Sequence, residues 1–106
     1  MPKRQRGDRP LPPCEENSRE PYVHSDLGVY YAKLGEAELA LQRAGTAVSL
    51  APDSGEILSA AAEAHELVGE REKAVELVRR SLDLGYPIKN YQINPEFESL
   101  LAETQF

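Results

Sequence analysis

Residues 27–36 read LGVYYAKLGE, with two glycines seven positions apart in a stretch whose apolar residues otherwise keep a helical beat. A glycine in a helix interior costs about 1 kcal/mol relative to alanine, so each one needs a reason. A phosphate-cradling loop would crowd several glycines at a helix start and add a Gly-Lys-Ser/Thr step. Here VYYAKL separates Gly28 from Gly35, and no such step follows. Two structural reasons remain. Gly28 permits close approach of a second helix, and Gly35 ends the first helix as a left-handed cap.

Working outward, Val23, Leu27, Tyr30, Tyr31 and Leu34 form one helical run closed by GEAE. Leu39, Ala40, Ala44, Ala47, Val48 and Leu50 form a second, closed by APD. Ile57, Leu58, Ala61, Ala64, Leu67 and Val68 form a third, closed by GERE. Ala74, Val75, Leu77, Val78, Leu82 and Leu84 form a fourth, closed by GYP. Four amphipathic helices joined by short turns predict consecutive antiparallel hairpins. β-branched residues never alternate over a strand's length, so an all-α fold is expected.

A shift of 34 residues superimposes the first pair on the second without a gap. Ser25 falls on Ser59, Gly35 on Gly69, Glu36 on Glu70, Glu38 on Glu72, Ala40 on Ala74 and Leu50 on Leu84. Such a period, built from two helices, predicts a helical-repeat solenoid. On these residues the chain resembles the tetratricopeptide repeat (TPR) family. Counting from Pro21, Leu27, Gly28, Tyr31, Gly35, Ala40, Ala47 and Pro52 stand on the family's pattern; His24 and Ala44 depart from it. In the second repeat, from Gly55, the residues Leu58, Gly69 and Ala74 fit. Ala61-Ala62 replaces Leu-Gly, His65 replaces Tyr, Ser81 replaces Ala, and Pro87 comes one residue late. The expected organisation is a repeat over 21–54, a repeat over 55–88 and a capping helix over about 95–103. The cap is read from NPEFESLLAE, with Asn94 as N-cap, Pro95 in the first turn and Phe97, Leu100 and Leu101 on one face. The GYP…NPEF…LL ending is similar to the closing segment of TPR regions at the C-termini of larger bacterial regulators.

Charge and composition narrow the function. The chain carries 18 acidic and 12 basic residues. Lys3, Arg4, Arg6 and Arg9 sit in the first ten residues, whereas from Pro21 onward 14 acids face seven bases. An acidic body argues against nucleic-acid and anionic-membrane partners. Residues 1–20 are poor in apolar side chains and are expected to be a flexible basic and proline-rich segment. One cysteine, Cys14, cannot form an internal disulfide, which suits a reducing cytoplasmic setting. No stretch reaches membrane-spanning length.

His24, His65 and Cys14 share no metal-ligand spacing, so no metal or cofactor is expected, and both histidines are read as partly buried structural residues. Glu63, Glu66, Glu70, Glu72 and Glu76 have the look of a solvated face rather than an acid/base pair, and no enzymatic activity is expected. What the TPR resemblance implies instead is a protein-binding scaffold whose first helices line a groove. Carried onto this chain, the groove positions are Tyr22, Ser25, Val29, Ala32 and Lys33, then Glu56, Ser59, Glu63, Glu66 and Leu67. The Lys and Asn with which chaperone-binding members hold a C-terminal carboxylate are replaced by Ser25 and Val29, then Ser59 and Glu63. The groove is net acidic, and a basic or amphipathic protein segment is the expected ligand. The rival expectation is a homodimer through the open repeat ends, burying Val23, His24 and their neighbours.

Overall fold

A computed structural model describes residues 19–104 and Phe106, and the regular structure within them is entirely helical. Most of the basic N-terminal segment, residues 1–18, therefore lies outside the described residues. Helix α1 spans Pro21–Lys33, α2 Ala37–Leu50, α3 Gly55–Leu67 and α4 Arg71–Asp83. α1 pairs with α2 and α3 with α4, and α3 also packs on both helices of the first pair. The result is an all-α, repeat-like stack of antiparallel helix pairs.

Local chemistry explains the boundaries. Pro21 opens α1, where a missing N–H costs nothing. The Ser54 side chain accepts from the Ile57 N–H (3.2 Å) and caps α3. α1 and α3 stop at Gly35 (φ 83°) and Gly69 (φ 90°), in the left-handed region that glycine enters without strain. At each stop two backbone bonds close the helix end: Gly35 N to Ala32 O and Glu36 N to Tyr31 O, then Gly69 N to Glu66 O and Glu70 N to His65 O.

Alanine dominates the packing. Ala40, Ala44 and Ala47 of α2 are fully buried, as are Ala61, Ala62 and Ala64 of α3 and Ala74 of α4. Small side chains bring helix axes close, and Gly28 goes furthest. A Cβ there would lie 3.3 Å from the Ala40 carbonyl oxygen and from the Ala44 nitrogen. One continuous core joins Tyr31, Leu58, Leu77, Val78, Tyr91, Phe97 and Leu100 to these alanines other than Ala47.

The C-terminal segment is more elaborate than a single helix. It comprises α5 (Ile88–Gln92), a 3₁₀ turn (Pro95–Phe97) and α6 (Glu98–Glu103). Five residues are too few to show a helical period in sequence, so α5 is legible only through the burial of Tyr91. Asn94 caps the 3₁₀ turn by accepting from the Glu96 N–H (3.0 Å). Tyr91 stacks edge-to-face on both Tyr86 (5.3 Å) and Phe97 (4.8 Å), and these rings close the core beside α3 and α4.

Candidate binding face on the first helices

α1 and α3 lie side by side, and their equivalent residues meet. The Tyr22 hydroxyl donates to Glu56 Oε1 at 2.7 Å, a bond between positions 34 apart in sequence. The bond and the neighbouring carboxylate charge push the Tyr22 phenol above its ordinary pKa, keeping it a neutral donor. Lys33 is exposed at the other end of α1, and Val29 between them is half-buried against the core.

Two expected groove residues do not face solvent. Ser25 is 2% exposed and donates to the Tyr22 carbonyl (3.1 Å) within its own helix. Ala32 is buried against the core. Both sit on the side of α1 that turns inward.

Over α3 the C-terminal segment takes much of the remaining face. Ser59 is half-buried near Tyr91, where it acts against the burial that raises the phenol's pKa. Glu63 is half-buried too, and that burial raises its carboxyl pKa. Lys33 and the nearby Asn94 amide act in the opposite direction, while Glu96 adds to the rise. Glu66 is held by Arg71 through two bonds, Nε to Oε1 at 2.9 Å and Nη2 to Oε2 at 2.7 Å. Arg71 also donates to Glu103 (2.7 Å) and Ser99 (3.2 Å) of α6, tying the cap to the start of α4. Leu67 is packed partly against the core. The residues left to meet a ligand are Tyr22, Val29, Lys33, Glu56 and Glu63. Asn94, Glu96 and Arg71 border this face without having been read as site residues. Their sequence signal announces a helix start and an ion pair, and says nothing of which side of α3 the cap will cover.

The repeat-pattern residues occupy the helix interfaces and turns: Tyr31, Ala40, Ala47 and Ala74 are buried, Leu27 is half-buried, and Pro52 is exposed in the turn before α3. His24 is 2% exposed, with Arg43 Nη1 donating to its Nδ1 at 3.1 Å. This corrects the expectation that His24 would wait for a dimer partner to bury it, because Arg43 of α2 already does so. His65 lines a cleft of about 340 Å³ between α2 and α4, beside Gly45, Val48, Lys73 and Leu77. Its Nδ1 is buried with no hydrogen-bond partner. Burial, followed by the charge of Lys73, lowers its pKa, against smaller opposing contributions from Glu70 and Glu76.

Among the described residues no three His, Cys, Asp or Glu side chains are grouped to hold a metal ion. No helix among them is long and apolar enough to cross a membrane. Compared with family models, curated proteins and solved structures, the chain finds no match.

Proposed function

We propose that this chain is a TPR-like protein–protein interaction module, non-catalytic and cytoplasmic, that holds a basic or amphipathic segment of a partner protein on the face shared by α1 and α3. The observation that carries the reading is the Tyr22–Glu56 bond. It places an aromatic edge and a carboxylate side by side at equivalent positions of successive first helices. Glu63 extends the acidic strip, and Tyr22 and Val29 supply apolar contact. A half-buried carboxyl such as Glu63 gains most from an incoming cation, because its own surroundings solvate the charge poorly. The occupied state of Glu66 narrows the test: reversing it would break the Arg71 clamp and confuse folding with binding.

The test is therefore a Glu56→Lys/Glu63→Lys variant used as bait beside the wild type, with captured proteins identified by mass spectrometry. Partners with basic segments should bind the wild type, wash off as salt rises, and be lost from a variant whose melting is intact. Equal capture by the two baits sinks the proposal.

A further inference from the structure

The 34-residue equivalence that builds the stack also exposes what one end of it lacks. Val23, Leu27, Tyr30 and Leu34 recur at i, i+4, i+7 and i+11, and so form one stripe along α1. Their counterparts in α3 are Ile57, Ala61, Ala64 and Val68. The first three of these are at most 1% exposed, on a helix that packs against both α1 and α2. On α1 the stripe is half-buried at Val23 and Leu27 and open beyond them: Tyr30 is 55% and Leu34 59% exposed, and no described residue covers these two. The opposite end of the stack is closed by α5 and α6, so the two ends are unlike.

We infer that this stripe is a self-association surface, on which α1 of a second copy packs antiparallel about a two-fold axis. Two observations choose that occupant. First, the stripe is not shaped for a close-packed preceding repeat. Where α3 offers Ala61 and Ala64, α1 offers Leu27 and Tyr30, which hold a neighbouring helix further away. Second, the charges beside the stripe are self-complementary. Asp26 and Lys33 are both exposed and lie on the same flank, seven residues or about 10 Å apart. An antiparallel pair crossing near Val29 and Tyr30 sets each Asp26 against the second copy's Lys33, twice per dimer. A two-fold axis requires that kind of self-matching pattern.

Sedimentation equilibrium of the full chain across a dilution series tests this. The wild type should approach twice the chain mass, and Leu34→Asp, at an exposed position, should stay at one. The single reversals Asp26→Lys and Lys33→Asp should each weaken the dimer about tenfold, and the double reversal should restore it. Ile93→Asp, at the other end of the stack, should leave the dimer unchanged. A wild type that remains monomeric, a dimer indifferent to Leu34→Asp, reversals that do not rescue each other, or a dimer lost on Ile93→Asp would each overturn the inference. Helical melting of every variant, read below the dissociation concentration, separates lost association from lost folding.

Discussion

Ser81 shows how much one atom can explain. It stands where the first pair has Ala47, and its hydroxyl donates to the Val78 carbonyl at 2.7 Å. With its proton so used, it accepts from the Tyr91 hydroxyl, deep in the core. This polar departure at a buried repeat position is thus the socket for the C-terminal cap. Tyr91→Phe should cost about 1 kcal/mol, since Ser81 keeps its other bond. Adding Ser81→Ala should cost less than the sum of the two singles, which a double-mutant cycle by urea unfolding will show. Gly28 is equally legible: a valine there has no space beside the Ala40 and Ala44 backbone and should cost about 1–3 kcal/mol. His65 predicts a pH dependence. Its folded pKa is lowered, so between that value and about 6.5 the unfolded chain binds a proton that the fold resists. Stability should therefore be full above about pH 6.5 and fall as pH drops through the interval below. His65→Phe should flatten that slope in urea titrations. Glu63 works in the opposite sense: its raised pKa contributes stability below about 4.5 that is lost as pH rises. The His65 variant, and not the wild-type curve alone, is thus the informative comparison.

At the scale of the element, the four long helices were readable because 13 or 14 residues give an apolar face time to repeat. Gly35 and Gly69 mark the ends of α1 and α3 because a left-handed backbone leaves few other choices. The face assigned to binding was only partly readable. Periodicity says which side of a helix is apolar, but not which neighbour will lie on its polar side. Ser25 and Ala32 turned inward, Ser59 and Glu63 came to lie near Tyr91 and Asn94, and Glu66 became the partner of Arg71. Those contacts join residues far apart in the chain and leave no periodic trace. The cap itself should be indispensable. Leu100→Ala, at a site with no exposure, should cost about 2–5 kcal/mol in chemical unfolding. Arg71→Met leaves the core intact but removes the bonds that tie Ser99 and Glu103 of α6 to the start of α4, beside Glu66. Its effect should be faster amide exchange confined to α6 and the turn before it.

For the whole molecule, the continuous core implies that both helix pairs and the cap melt together. Tryptophan is absent, so circular dichroism and the tyrosine signal are the probes, and their transitions should coincide. The same 34-residue register gives the stack a direction of growth. Its C-terminal side is sealed by aromatic rings that have no counterpart in the repeat, whereas its N-terminal side carries the stripe on which α3 receives the first pair, made bulkier by Leu27 and Tyr30. A duplicate of residues 21–54 spliced ahead of Pro21, with Leu27 and Tyr30 at the new junction cut back to Ala to mimic Ala61 and Ala64, would set a second α2 along the stripe. The architecture can thus be lengthened one unit at a time from its beginning and never from its end.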